Sequence, residues 1–148
     1  PASLVREHCL QNASLEESAL GLTRDIASRY DKRMDIVYQT NDGTWIKTES
    51  FERDQNLDGS DKNHEFDEQD WLEISAVDPD GNQTHLIIDA ENGVSGTYTP
   101  SGSESQELGN EAIENAFRNY ATDLSYAVTN QLAHLPEDAK TSPWYESN

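Results

Sequence analysis

Residues 71–89, WLEISAVDPDGNQTHLIID, decide the fold of this chain. Apolar and polar side chains alternate over residues 71–77, which is the period of a half-buried β-strand. The inward positions are Leu72, Ile74 and Ala76. Residues 78–82 (DPDGN) then combine the residue types that favour tight turns, and β-forming residues follow at 84–89. The stretch therefore predicts an antiparallel hairpin.

The same pattern continues on both sides of this hairpin. Upstream, the turn signal Asn-Asp-Gly at 41–43 separates two runs of β-forming residues, 34–40 and 44–52. In the second run Ile46 and Thr48 are expected on one face, and Trp45, Lys47, Glu49 and Phe51 on the other. Downstream, Glu-Asn-Gly at 91–93 precedes a short run at 94–99. Five strands are predicted, whereas residues 100–109 are expected to form a loop because they are rich in Ser, Gly and Glu.

A predicted helix lies at each end of this β region. The first begins at Ser14, which forms a capping-box pattern with Glu17, and its apolar residues recur at helical spacing up to Tyr30. The second begins near Asn110, a good N-cap residue, and is bounded by Pro136. Its apolar stripe consists of Ile113, Ala116, Phe117, Tyr120, Leu124, Val128 and Leu132.

These elements predict a single α+β domain over residues 1–148. Short connections favour an antiparallel meander of about five strands, and the N-terminal helix and the long C-terminal helix flank it as a second layer. Composition places loosely ordered tails at 1–12 and 137–148 and an acidic loop at 53–69.

The charge of the chain is strongly negative and unevenly distributed. There are 10 basic and 29 acidic side chains, for a net charge of −19. Residues 53–93 alone contain 2 basic and 12 acidic groups, a charge of −10. Such a surface repels nucleic acid and anionic membranes and attracts basic proteins or other cations. Adaptation to a high-salt habitat and simple solubility are alternative explanations of the same acidity.

Targeting signals are not visible in the sequence. No run of 18 apolar residues predicts a transmembrane helix, and no signal peptide is apparent. The expectation is a soluble chain whose compartment and oligomeric state stay open. Cys9 is the only cysteine, so neither a disulfide framework nor a cysteine zinc site is predicted.

Residues 54–65, DQNLDGSDKNHE, follow the spacing D-x-[DN]-x-[DN]-G-x5-E and resemble an EF-hand calcium loop. The resemblance implies calcium as a cofactor, bound by oxygen atoms of Asp54, Asn56, Asp58, Ser60 and Glu65. It covers 12 of 148 residues. Asp61 stands where the family has an aliphatic residue, and the flanking segments are predicted strands rather than helices. The alternative is a solvated acidic loop.

Catalytic motifs are missing from the sequence. The four histidines, His8, His64, His85 and His134, show no metal-ligand spacing, and the chain has no G-x-S-x-G elbow, P-loop or G-x-G-x-x-G fingerprint. His85 is expected to be half-buried on a strand. The chain is therefore expected not to be an enzyme, and a carboxylate- or tyrosine-based active site is a distant alternative.

The favoured function is that of a non-enzymatic, acidic protein-binding domain. Inhibitors, immunity proteins and secretion chaperones include small acidic α+β domains of this general type. A basic partner is expected to contact the crowded carboxylates of the acidic loop, with Asp61, Asp67, Glu68 and Asp70 as contact residues beside the calcium-loop positions. A calcium-binding module that uses residues 54–65 is the alternative function.

Overall fold

The hairpin of residues 71–89 lies at the centre of a six-stranded antiparallel sheet. The computed structural model describes residues 15–30, 35–51, 71–89 and 91–145. The strands are β1 Ile36–Gln39, β2 Trp45–Phe51, β3 Trp71–Val77, β4 Gln83–Asp89, β5 Gly93–Thr99 and β6 Gln106–Glu107. They neighbour one another in chain order, so the predicted meander is confirmed.

The central hairpin is closed by hydrogen bonds that its turn residues provide. The backbone N–H of Asp78 donates to the carbonyl of Asn82 at 3.0 Å, and the Asp78 carboxylate accepts from the N–H of Asp80 at 2.9 Å. Gly81 has φ +88°, a conformation that costs glycine little and other residues more. These bonds fix the register in which Leu72 faces Ile88 and Ile74 faces Leu86.

The sixth strand lies in the stretch that was predicted to be a loop. Gln106 pairs with Tyr98, and Glu107 pairs with Thr97. Neither residue has strong β propensity, so this two-residue strand depends on the neighbouring β5 and not on its own sequence. The loop prediction for residues 100–109 is therefore wrong at these two positions.

Helix α1 spans Leu15–Arg29 and helix α2 spans Asn110–Thr129. The N-cap of α2 is Gly109, whose carbonyl accepts from the N–H of Ile113 at 3.0 Å, so the expectation of an Asn110 cap is wrong by one residue. At the other end the chain reverses at Gln131, which has φ 57°. Leu132 consequently leaves the apolar stripe and is 41% exposed.

Both helices cover one face of the sheet, here called the helix face. The strand residues Ile46, Leu72, Ile74, Leu86 and Ile88 have no exposed surface there. They pack in one cluster with Ile26 of α1 and with Phe117, Leu124 and Val128 of α2. Each such side chain contributes about 1.5–3 kcal/mol on burial. The two-layer α+β architecture is thus confirmed.

Polar side chains occupy the opposite face of the same strands, here called the polar face. Its polar residues include Lys47, Glu73, Ser75, His85 and Thr97, and the apolar residues Trp45, Phe51, Trp71, Val77 and Ile87 lie on the same face. The C-terminal segment runs along the β1 edge, where Val37 and His134 exchange two backbone hydrogen bonds of 2.8 Å. Beyond a 3-10 helix at Pro136–Asp138, the Trp144 ring lies 5.3 Å from the Lys47 ammonium.

The predicted tails and the acidic loop fall largely on residues outside this description. Residues 1–12 and 53–69 lie there entirely, and so do the last three residues of the C-terminal tail. In the described portion of that tail, Ala139 and Ser142 are buried. Among the residues described, no helix has the length and apolar character needed to cross a membrane.

Candidate functional site

All nine site residues predicted from the sequence lie in the stretch 52–70, outside the described residues. The five calcium-loop positions are Asp54, Asn56, Asp58, Ser60 and Glu65, and the four partner contacts are Asp61, Asp67, Glu68 and Asp70. Both sets stay predictions. The strand residues that flank the stretch are neighbours, because Phe51 pairs with Trp71 and their rings stack with centroids 4.9 Å apart.

The opposite end of the sheet carries three turns that lie side by side. They connect β1 to β2 at residues 40–44, β3 to β4 at 78–82 and β5 to β6 at 100–105. The Ser101 N–H donates to the side-chain oxygen of Asn82 at 2.9 Å, which ties the last two turns together. This turn end is about 20 Å from the Phe51 end, given seven-residue strands.

A cavity of about 490 Å³ lies between the first two of these turns, at residues 40–44 and 78–82, and helix α2. We call it the acidic cavity. Four carboxylates line it, and they come from two turns and the helix: Asp42, Asp78, Asp80 and Asp123. The rest of the lining consists of Thr40, Thr44, Ala76, Pro79, Asn82, Thr84, Tyr98 and Tyr120. No basic side chain belongs to this set of described lining residues.

Asp42 and Asp78 are turn residues whose carboxylates are held in the ionised form. The Asp42 carboxylate accepts from the Thr40 hydroxyl and from the Thr44 N–H, and these hydrogen bonds lower its pKa. The Asn82 side-chain amide donates to Asp78 at 3.0 Å and is the main cause of the lowered pKa of that carboxyl. Both groups therefore carry a full negative charge at neutral pH.

Asp123 and Tyr120 form the helical wall of the acidic cavity. They are three residues apart on α2 and thus lie on the same face of the helix. Burial, followed by the charge of Asp42, raises the pKa of Asp123. Burial likewise raises the pKa of Tyr120. In the described part of the chain Asp123 has no hydrogen-bond or ion-pair partner, so its charge faces the cavity uncompensated.

A tyrosine cluster adjoins this wall. Tyr126 follows Asp123 on α2 and is 56% exposed, one of the two large apolar side chains with a high exposure among the described residues. Tyr38 is buried, and burial raises its pKa, with further contributions from Tyr126 and Asp123. Exposed tyrosines are frequent energetic anchors at protein interfaces.

The chemistry of the acidic cavity suits an organic cation. Carboxylates converge in a concave site, which concentrates the negative potential, and tyrosine ring faces attract ammonium and guanidinium groups. Within the described ranges, no three His, Cys, Asp or Glu side chains are placed so that they would hold a metal ion. The predicted calcium loop lies outside those ranges.

A larger groove, of about 1060 Å³, runs between α1 and α2. Its charged lining residues have both signs, namely Arg24, Asp25 and Arg118. Asp25 is 3.8 Å from Arg29, and Arg118 is 2.7 Å from Glu114. The charged side chains of the groove therefore have both signs, whereas those that line the acidic cavity are all negative.

Sequence reasoning did not select the residues of the acidic cavity. Asp42 and Asp78 were visible only as turn residues, and Asp123 only as a polar position on a helix. Their convergence depends on the meander order and on the placement of α2, which no local pattern encodes. No protein-family model, curated protein or solved structure matches the chain.

Proposed function

We propose that this chain is an acidic protein-binding domain that docks a basic partner at the acidic cavity, without any reaction there. One observation carries the proposal: four carboxylates and two tyrosines converge on a cavity that contains no basic lining residue in its described part. The net charge of −19 would speed the approach of such a partner. This mode of binding fits an inhibitor, an immunity protein or a chaperone.

A lysine or arginine side chain of the partner fits the cavity best. Its charged end would reach Asp123, whose carboxylate has no partner in the described part of the chain, and its aliphatic stem would lie against Tyr120 and Tyr98. The exposed ring of Tyr126 would pack against the partner's surface beside the cavity. Volumes of about 300–1,000 Å³ are usual for ligand sites, so 490 Å³ is ample.

The test uses short basic peptides as probes and two variants that each remove one negative charge. Binding of tetralysine and of tetraarginine is measured by titration calorimetry to the parent, to Asp123→Asn and to Glu111→Gln. Glu111 is exposed on the same helix and does not line the cavity. We expect Asp123→Asn to weaken binding about tenfold or more, and Glu111→Gln to change it less than about twofold.

Salt dependence provides a second readout. Raising the salt from ~0.1 M to ~1 M shortens the Debye length from about 10 Å to about 3 Å. Binding that relies on charge should weaken across this range. Equal losses in the two variants would indicate general attraction to the net charge and would contradict a role for the cavity.

A second candidate function is calcium binding by residues 54–65, which the five matched loop positions favour. Thermal unfolding is compared in chelator, in magnesium and in calcium at equal ionic strength. A calcium-specific rise in Tm that Glu65→Gln abolishes would support the site, because ligands that bind the native state stabilise it. A rise retained in Glu65→Gln would place calcium elsewhere.

The partner contacts proposed in the acidic loop can be separated from the acidic cavity. A variant in which Asp61, Asp67, Glu68 and Asp70 are replaced by their amides keeps every described lining residue of the cavity. Loss of peptide binding in this variant, with normal binding in Asp123→Asn, would move the docking surface to the loop. The reverse result would support the cavity.

A further inference from the structure

A chain of hydrogen bonds crosses the polar face and joins four side chains of β3 and β4. The Trp71 indole N–H donates to Glu73 Oε2 at 2.8 Å. The other oxygen of Glu73 lies 2.8 Å from His85 Nε2. His85 Nδ1 in turn lies 3.0 Å from the Ser75 hydroxyl. We call this chain the polar-face relay.

The relay defines the protonation pattern of the imidazole. A carboxylate only accepts hydrogen bonds, so His85 Nε2 carries a proton toward Glu73. When the ring is neutral, Nδ1 is an acceptor, and the Ser75 hydroxyl donates a hydrogen bond to it. Among the described residues, no group donates a hydrogen bond to the Ser75 hydroxyl oxygen. This is the arrangement of an activated nucleophile: Ser75 is the hydroxyl, His85 is a base within hydrogen-bond reach, and Glu73 orients the base.

A cavity of about 190 Å³ adjoins the relay. Ser75 and His85 line it, together with Gln83, Thr97, Thr99 and the indole of Trp144. Lys47 lies directly opposite Ser75 in the strand pairing, and its ammonium is 5.3 Å from the Trp144 ring and 2.6 Å from a Glu49 carboxylate oxygen. The Ser75 side chain therefore lines a partly open cavity whose lining also includes an aromatic residue and the hydroxyl residues Thr97 and Thr99.

We propose that Ser75 is a nucleophile for the hydrolysis of small acyl esters with an aromatic leaving group, with His85 as its general base. The volume admits a short acyl chain, and the Trp144 indole offers a stacking surface for the leaving group. This site is on the face opposite the helices and does not depend on the acidic cavity.

The reaction balances with water as the sole co-reactant. The Ser75 oxygen bonds to the carbonyl carbon while its proton moves to His85 Nδ1, and the carbonyl oxygen takes up the negative charge. The bond to the leaving oxygen breaks, and that oxygen takes the proton from Nδ1. Water then attacks the acyl-Ser75 carbonyl and gives one proton to Nδ1. Cleavage of the bond to Ser75 returns this proton to the hydroxyl and releases the acid.

Glu73 is a positioning residue in this scheme. It contacts neither the substrate nor the reacting atoms, and it holds the ring orientation through Nε2. The indole N–H of Trp71 donates to the other oxygen of Glu73 and thereby fixes the orientation of this carboxylate. The sequence contained no nucleophile motif because residues 73, 75 and 85 become neighbours only through the register of β3 and β4.

The first experiment uses a fluorophosphonate probe and p-nitrophenyl acetate on the full chain. Mass spectrometry locates the labelled residue, and release of p-nitrophenol gives the rate. Ser75→Ala should abolish the label and lower the rate about 100-fold or more. Ser95→Ala is the matched control, because Ser95 is exposed on the same face and lies outside the relay. It should change neither.

Two further variants distinguish catalysis from a structural hydrogen bond. His85→Gln should lower kcat about 100-fold while labelling at Ser75 is lost. Glu73→Gln should lower kcat at an unchanged KM, and Glu73→Asp should restore part of the rate. The proposal is overturned if Ser75 in the parent stays unlabelled, or if Ser75→Ala hydrolyses the ester at the parent rate while circular dichroism shows it folded.

Discussion

The two faces of the sheet are built from the same strands and differ by a single step along the chain. Leu72, Ile74 and Leu86 point to the helices and are fully buried. Glu73 and His85 point the other way, and their side chains are 22% and 41% exposed. Successive residues of a strand point to opposite faces of the sheet. Residues that stabilise the core and residues with polar side chains therefore alternate along the same strands. The helix face should therefore tolerate change far less than the polar face.

The strongest test of this difference is Phe117→Ala on the helix face. Phe117 is 1% exposed and is the largest fully buried side chain in the described part of the chain. Its truncation should cost about 3–5 kcal/mol in the free energy of unfolding. Chemical denaturation measures the loss, and Tyr126→Ala on the exposed side of the same helix is the control. A loss in the control as large as that in Phe117→Ala would break the comparison.

Adding volume to the helix face should have the next largest effect. A Cβ atom at Gly96 would lie 2.9 Å from Leu86 Cδ2 and 3.1 Å from Ile113 Cγ1. Gly96→Ala should therefore cost about 1–3 kcal/mol through overpacking. Gly21 is the control, since a Cβ there meets nothing within 4 Å and the residue lies inside α1. Gly21→Ala should stabilise the protein by about 0.5–1 kcal/mol, as measured by the same denaturation.

A change on the polar face should be smaller than either of these. The Lys47 ammonium lies 2.6 Å from a Glu49 carboxylate oxygen, and the Lys47 and Glu49 side chains are 18% and 37% exposed. Because water screens such a pair, Lys47→Ala should cost no more than about 1 kcal/mol. Denaturation at low and high salt measures this loss. A cost near that of Phe117→Ala would show that the polar face contributes as much stability as the core.

The smallest effects are expected at the turn end, where two aspartates should shift stability in opposite directions. The pKa of Asp78 is lowered from 3.8 by hydrogen bonds to its carboxylate. The ionised Asp78 carboxylate therefore stabilises the folded state above pH 3.8. This stabilisation is lost as the pH falls through the lower pKa of the folded state. Asp78→Asn should flatten the acid side of a plot of Tm against pH. If Tm falls equally with decreasing pH in the parent and in Asp78→Asn, this role of Asp78 is contradicted.

The effect of Asp123 on stability should depend on pH in the opposite direction. Burial raises its pKa, so the folded state favours the protonated acid, and this contribution is lost as the pH rises through the raised pKa. Asp123→Asn should therefore raise Tm at neutral pH, measured by thermal unfolding. The same variant is expected to weaken binding of basic peptides, so the carboxylate would favour binding at the expense of stability. A lower Tm would show that Asp123 stabilises the fold.

The sheet was predictable from sequence because its information is local. Alternation over residues 71–77 and the turn at 78–82 define the central hairpin without reference to the rest of the chain. The sixth strand was not predictable, because Gln106 and Glu107 extend only beside β5.

The candidate sites were less predictable still. Asp42, Asp78 and Asp123 come from three separate elements, and the contact of His85 with Ser75 requires the exact pairing of two strands. The calcium loop at residues 54–65 stays a prediction.

The two edges of the sheet determine how other chains can meet it. On one side, His134 occupies the backbone groups of Val37 that face away from β2. On the other, β6 is only two residues long, ends with Glu107 and pairs with Thr97 and Tyr98 of the seven-residue β5. Exposed strand edges invite another chain to extend a sheet, whereas short, charged or occupied edges oppose such growth. Among the described residues, sheet extension is therefore opposed at Val37 and along β6, and a partner docked at the proposed acidic cavity would be recognised through side chains.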